Sequence, residues 1–119
     1  MKIAVTAKGR ELSSPVDPRF GRAAYILIVD SETMESVVLD NSANVNAFKG
    51  AGIQAATMIC ENGAEVLLTG YCGPNAFRTL ETAGVKVGSD TVGTVAEAVD
   101  NFRRGNVRFS EAANAEGHW

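Results

Sequence analysis

The chain has 119 residues and a mass of 12.5 kDa, enough for one domain that buries roughly two thirds of its unfolded surface. Its net charge of −3 is not the positive charge that is typical of nucleic-acid-binding proteins, and no apolar run approaches the length of a membrane span. Two cysteines and an N-terminus without export features predict reduced thiols and a cytoplasmic protein that binds neither nucleic acid nor membrane.

The first part of the chain predicts three strands. Residues 2–7 alternate and are rich in β-branched side chains, which is typical of a strand. Residues 8–23 contain turn residues without a period and predict a long surface loop with three arginines, Arg10, Arg19 and Arg22. Strands at 24–30 and 34–40 follow, and their short connection predicts an antiparallel pair.

The second part of the chain predicts alternating helices and strands. A polar loop at 41–50 is followed by a helix at 51–62, which has Ile53, Ala56 and Cys60 on its apolar face, and by a strand at 66–69. The next helix, at 74–83, buries Phe77 and Leu80 and leads to a strand at 85–87. A loop at 88–94 then precedes a helix at 95–104 that is capped by Thr94. Glycines stop the helices at Gly63, Gly84 and Gly105. Residues 1–105 therefore predict one α/β domain, and residues 106–119 predict a loosely ordered tail.

This order of elements predicts a mixed five-stranded sheet of order 3-2-1-4-5, with strand 2 antiparallel to the rest and helices on both faces. The loops 8–23, 41–50, 70–75 and 88–94 then emerge at one edge, beside the switch point where open α/β sheets bind ligands. The basic side chains expected to crowd there are Arg10, Arg19, Arg22 and Lys49. An acidic protein would thus present a basic, glycine-rich cleft.

Several catalytic chemistries are excluded by the residues. The same sheet order occurs in ribonuclease H, whose nuclease chemistry needs carboxylates, starting on the first strand, to hold two magnesium ions. The first strand here has none. A serine or cysteine triad needs a histidine base, and the sole histidine, His118, lies in the predicted tail. The glycines around Gly70 match neither a Walker loop nor a dinucleotide fingerprint, so nucleotide binding is poorly supported.

The stretch from Thr69 to Asn75 joins a strand to a helix and predicts a binding loop. Gly70 and Gly73 allow positive φ and close approach to the backbone, and Pro74 suits the first helical position. Free amides at the start of a helix predict an anion site. Cys72 has two interpretations, an apolar filler beneath the loop or a thiolate that binds a soft metal. Cys60, on an apolar helix face, is expected to pack in the core.

Four segments together resemble the dinitrogenase iron-molybdenum cofactor biosynthesis family. They are Asp17-Pro18-Arg19-Phe20-Gly21-Arg22-Ala23, Gly50-Ala51-Gly52-Ile53-Gln54-Ala55-Ala56, Leu68-Thr69-Gly70 with Gly73-Pro74-Asn75-Ala76-Phe77, and Ala83-Gly84-Val85-Lys86-Val87. The resemblance extends from residue 2 to about residue 105. It implies a ribonuclease H-like three-layer fold without nuclease activity. It also implies binding or carriage of an iron-sulfur cluster or of the iron-molybdenum cofactor or its precursor, with no catalysis.

The cleft and the family motifs together give a candidate site. Its cofactor-binding residues are Arg19, Phe20, Gly21, Arg22, Asn41, Gly50, Gly70, Gly73 and Asn75, with Cys72 as the metal ligand. Family members that handle the nitrogenase cofactor commonly have histidine where this chain has Arg19. Arg19 is therefore expected to pair with an anionic cluster or with homocitrate, which leaves Cys72 as the ligand and His118 as a remote third candidate.

Three functions are compatible with these residues and with the family that they resemble. The first is a carrier of an iron-sulfur or iron-molybdenum cluster, whose partners are metallocluster donor or acceptor proteins. The second is a regulatory or interaction module that uses the same loops to bind a small phosphorylated or carboxylated ligand, or a partner protein, without metal. The third leaves the crevice empty and has the protein act as a homodimer.

Overall fold

A computed structural model describes residues 1–42 and 50–110. The strands are β1 (Lys2–Ala7), β2 (Tyr25–Asp30), β3 (Ser36–Asp40), β4 (Val66–Leu68) and β5 (Lys86–Gly88). The helices of the described residues are α1 (Ala51–Glu61), α2 (Pro74–Thr82) and α3 (Val95–Arg103). These bounds agree with the sequence predictions to within two residues.

The five strands form one mixed sheet of order β3-β2-β1-β4-β5. Strand β2 pairs antiparallel with both β1 and β3, whereas β4 is parallel to β1 and to β5. The predicted order and the antiparallel direction of β2 are therefore confirmed. Strands β1 and β4 are central neighbours, so the chain changes its direction of winding between them, at the switch point that the sequence predicts.

Side chains of the strands alternate between two apolar clusters. Ala4, Ile26 and Leu67 join the buried residues of α1 and α2 in one cluster. Val5 and Leu27 join α3 in the other. Because successive side chains of a strand point to opposite faces, α1 and α2 cover one face of the sheet and α3 covers the other.

The buried face of α1 differs from the predicted one. Ile53 is 41% exposed, whereas the buried residues of the helix are Ala51, Ala55, Ala56 and Ile59. Gly52 lies so close to α2 that an added Cβ would be 3.1 Å from the Cβ of Ala76. Small residues therefore set the approach of the two helices, and Ile53 is left at the surface. Cys60 is half-buried and packs against the core, as expected.

Residues 106–110, assigned to the tail by the sequence, lie along the outer edge of β5. Phe109 forms an antiparallel bridge with Gly88, and the Ser110 N–H donates to the carbonyl of Val87 at 2.7 Å. The Phe109 ring packs edge-on against Phe102, with centroids 6.3 Å apart. This segment covers one edge of the sheet, and β3 forms the other edge. His118 lies outside the described residues.

Candidate functional site

The first turns of α1 and α2 border a crevice at the edge of the sheet where β4 ends. Its lining residues are Phe20, Gly50, Ala51, Gly52, Ile53, Gly73, Asn75 and Ala76. The structure thus brings together Phe20, Gly50, Gly73 and Asn75 from the predicted set. The cavity volume is about 40 Å³, which is room for about one or two water molecules.

Both helices begin at this crevice without a side-chain cap. The first backbone hydrogen bonds run from Gln54 N–H to Gly50 and from Phe77 N–H to Gly73, both at 2.9 Å. Pro74 occupies the start of α2, as predicted. Within residues 1–42 and 50–110, no acceptor is present for the amides that precede these bonds, which belong to Ala51, Gly52, Ile53, Asn75 and Ala76. Two positive helix ends therefore meet at one crevice, an arrangement that favours an anion.

The loop of residues 17–23 is held between the end of β4 and the start of α1. The Phe20 N–H donates to the carbonyl of Tyr71 at 3.1 Å, and the Tyr71 N–H donates to that of Pro18 at 2.6 Å. A Cβ added to Gly70 would lie 2.7 Å from the Pro18 Cα, and one added to Gly21 would lie 2.9 Å from the Gly52 Cα. Both glycines are required because the backbones pass so close to one another.

The expected use of positive φ in the β4–α2 loop is wrong. Gly70 is not among the positive-φ glycines, and Gly73 has an ordinary extended conformation, with φ of −72° and ψ of 167°. The close approach predicted at Gly70 is present, but it is made by the backbone of Pro18. Gly70 therefore shapes the loop instead of admitting a ligand to its own backbone.

Asn41 supports the site from behind. It is fully buried at the end of β3, and its Nδ2 donates to the carbonyl of Ala23 at 2.8 Å and to that of Gly21 at 3.4 Å. Its backbone N–H donates to Ala24 at 2.9 Å. Asn41 thus ties the 17–23 loop to the sheet and does not line the crevice.

A pair of buried threonines at the switch point was missed by the sequence reasoning. Thr6 Oγ1 donates to the carbonyl of Asp17 at 2.6 Å and lies 2.8 Å from Thr69 Oγ1. Because the Thr6 hydroxyl proton is used on Asp17, Thr69 is the donor of the second bond. The sequence does contain an indication of this pair, because Thr6 and Thr69 are polar residues at the ends of two strands that are predicted to be central neighbours. These bonds fix the start of the 17–23 loop against β1 and β4.

Arg10 does not join the other loop arginines at the cleft. Arg19 is about half exposed, with its Nε 3.8 Å from Asp17 Oδ1, and the same oxygen accepts the Arg19 N–H at 3.0 Å. Arg10 instead lies over the ring of Tyr25, 4.9 Å from its centroid, and a hydrogen bond to Tyr25 raises the pKa of Arg10. Tyr25 packs with the α3 cluster, on the face of the sheet opposite the crevice. The prediction that Arg10 joins the cleft is therefore wrong, and Lys49 lies outside the described residues.

Cys72 lies in the core beneath the loop. Its side chain is fully buried, and its Sγ is 3.7 Å from the carbonyl oxygen of Gly73. Burial raises the pKa of this thiol to about 12, so it is protonated at neutral pH. The described residues contain no group of three or more His, Cys, Asp or Glu side chains that could hold a metal ion. This geometry favours the packing interpretation over a preformed thiolate.

Comparison with known proteins identifies the family. The sequence model described as dinitrogenase iron-molybdenum cofactor matches residues 1–105. The chain belongs to this family. The resemblance found in the sequence motifs is thereby confirmed.

Similar proteins match nearly the whole chain. The apo form of the orange protein from Desulfovibrio gigas is 49% identical, with 96% of each chain covered and a TM-score of 0.93. The NMR structure of a candidate NifB protein from Thermotoga is 36% identical, with 98% of each chain covered and a TM-score of 0.82. An uncharacterized protein of Methanocaldococcus jannaschii is 27% identical over 114 residues, which are 93% of this chain and 92% of that protein.

None of the helices in residues 1–42 and 50–110 has the length and apolar character needed to cross a membrane.

Proposed function

We propose that this protein binds and carries an anionic metallocluster, without catalysis, at the crevice between the starts of α1 and α2. The cargo would be an iron-sulfur cluster or the iron-molybdenum cofactor or its precursor. The observation that carries the proposal is the meeting of two helix starts without a side-chain cap, whose first amides have no acceptor among residues 1–42 and 50–110 and so favour negative charge. Membership of the dinitrogenase iron-molybdenum cofactor family supports the class of cargo. The similar orange protein was solved in its apo form, which implies that it also has a ligand-bound form, and this supports a ligand site in the present protein.

The residues present fit an anionic cargo held by charge better than one held by thiolates. Arg19 has an exposed guanidinium on the loop that packs against the crevice, and Arg22 lies on the same loop. Guanidinium groups form strong, charge-assisted hydrogen bonds to anions. Ligation by Cys72 remains a prediction, and it would require the 70–75 loop to move and the thiol to lose its proton.

The cargo would rest across the mouth of the crevice, because the cavity of about 40 Å³ has no room for a whole cluster. The proposal includes the ribonuclease H-like three-layer fold, which is supported by helices on both faces of the sheet. It also includes a cytoplasmic location and metallocluster donor or acceptor proteins as partners.

The test is to load oxygen-free protein from a cluster donor and to measure bound iron, bound molybdenum and visible absorption. Replacing Arg19 and Arg22 together by alanine should weaken binding about tenfold or more, since each removes a charge-assisted hydrogen bond. Arg103→Ala, on α3, is the matched control and should load like the wild type. If the double variant loads with unchanged affinity, the loop arginines do not hold the cargo.

Cys72→Ala addresses the ligand question in the same experiment. We expect it to bind the cargo with an affinity close to that of the wild-type protein, because the thiol is buried and protonated. A loss of the charge-transfer absorption band in this variant would instead establish the thiolate ligand that the sequence predicts.

A small anion bound without metal is the second candidate, and it is favoured by the cavity volume of about 40 Å³. Phosphate and citrate are suitable probes. If either raises the melting temperature of the protein and the cluster donor delivers no metal, the second candidate replaces the first.

A further inference from the structure

Among residues 1–42 and 50–110, no segment pairs with the outer edge of strand β3, whereas the opposite edge of the sheet, β5, is covered by residues 106–110. Proteins usually protect edge strands with Lys, Pro, a bulge or a covering segment, because free backbone groups invite another strand. The sequence of β3, Ser-Val-Val-Leu-Asp, contains neither Lys nor Pro, and its pairing with β2 runs without a bulge. In addition, the side chain of Val37 is 60% exposed.

The pairing with β2 determines which backbone groups of β3 face outward. At one end of the pair, the Asn41 N–H donates to Ala24, and at the other, the Asp30 N–H donates to Glu35, both at 2.9 Å. Directly bonded pairs alternate with non-bonded pairs along an antiparallel ladder. These two bonds therefore determine, for every residue between them, whether its backbone groups bond to β2 or point away from the sheet.

Val37 and Leu39 are the residues of β3 that bond to β2 in this pattern. The N–H and C=O groups of Ser36, Val38 and Asp40 therefore point away from the sheet. Among the described residues, these outward groups have no hydrogen-bond partner. They form a regular row that a second strand could bond.

We propose that β3 pairs antiparallel with β3 of a second copy of this chain, about a twofold axis at Val38. In this register Val38 faces its own counterpart, and Ser36 faces Asp40. In each facing pair, both residues have backbone groups that point away from their own sheet. Each of these N–H groups therefore meets a C=O group of the other subunit. The interface is isologous, because the same strand serves both subunits.

The side chains are compatible with this register. Val37 and Leu39 lie on one face of the strand and would meet across the axis, which covers the exposed Val37 with an apolar partner. Asp40 would face a serine hydroxyl instead of a second carboxylate, so no like charges are opposed. The lining of the α1/α2 crevice includes no residue of β3, so the dimer leaves that site open.

Sedimentation equilibrium over about 1 µM to 1 mM protein tests the proposal. The wild-type mass should rise with concentration from 12.5 kDa toward twice that value. Val37→Lys should raise the dissociation constant about tenfold or more, because it places charge at the centre of the interface. Val92→Lys is the matched control, since Val92 is also exposed but lies in the loop after β5, and it should dimerise like the wild type. A constant mass of 12.5 kDa across the range, or dimerisation unaffected by Val37→Lys, would overturn the proposal.

The register is tested separately by cross-linking. In a Cys60→Ala background, Val38→Cys should form an intermolecular disulfide on mild oxidation, because directly bonded residues have Cα atoms about 5.5 Å apart. Val37→Cys would face Leu39 and should cross-link much more slowly. Equal cross-linking of the two variants, or none in either, would rule out the axis at Val38.

Discussion

At the scale of single residues, Cys72 is controlled by burial and not by the helix start beside it. A helix N-terminus lowers the pKa of a nearby thiol, whereas an apolar environment raises it. The pKa of Cys72 is raised to about 12, so burial is the stronger effect. The cause is desolvation, because the Cys72 side chain is fully buried in the core. The Sγ also lies 3.7 Å from the carbonyl oxygen of Gly73.

The buried thiol predicts a loss of stability at alkaline pH. Its pKa is near 9.0 when unfolded and about 12 when folded, so the folded chain holds the proton more tightly. The stabilisation is complete below pH 9 and is lost as the pH rises toward 12, by about 1.4 kcal/mol per pH unit. Denaturation of wild type and Cys72→Ala between about pH 8 and 11 measures this. The gap between their unfolding free energies should narrow as the pH rises, and parallel curves would contradict the prediction.

At the scale of elements, local signals explain why the sequence predicts the fold so closely. Thr94 Oγ1 accepts the Glu97 N–H at 3.1 Å, and the Glu97 carboxylate accepts the Thr94 N–H at 3.0 Å, which completes the cap of α3. Gly63 and Gly84 take up positive φ just beyond α1 and α2. The sheet order follows because a short connection forces β2 and β3 to pair and the parallel strands need crossovers.

The packing of loops against elements could not be predicted in the same way. Ile53 fits the apolar period of α1 but is exposed, since the distance between the helices is set by Gly52 and Ala76. The sequence predicts a positive φ at Gly70, whereas a glycine is required there by contact with Pro18, which is distant in sequence. Arg10 has the charge that the cleft needs but lies over Tyr25. Each of these three placements depends on contacts with residues that are distant in the sequence, which local patterns do not reveal.

The segment of residues 106–110 should stabilise the sheet through Phe109. Phe109→Ala removes the edge-on contact with Phe102 and the cation–π contact with Lys86, whose Nζ is 5.4 Å from the ring centroid. We expect a loss of about 1–3 kcal/mol in urea denaturation. Val92→Ala, at a site 78% exposed, is the control and should change stability by less than about 0.5 kcal/mol. Equal effects of the two would mean that residues 106–110 do not brace β5.

At the scale of the whole molecule, the charge of the chain and the charge of its crevice have opposite signs. The net charge of −3 repels an anion at a distance, whereas the helix starts and Arg19 attract it at close range. The crevice is also assembled from three distant parts of the chain, the 17–23 loop and the starts of α1 and α2. It exists only when the sheet is formed, so a ligand bound there stabilises the entire fold.

Cargo binding should therefore raise the melting temperature, and salt should reduce that rise. At a free cargo concentration 100 times the dissociation constant, linkage gives about 2.7 kcal/mol, or roughly 10 °C for a chain of this size. Increasing the ionic strength from about 0.05 to 0.5 M screens the attraction and should shrink the shift. Arg103→Ala should behave like the wild type, whereas replacing Arg19 and Arg22 by alanine should give a smaller shift that depends less on salt. A shift that is the same at every ionic strength would show that neutral contacts, and not charge, hold the cargo.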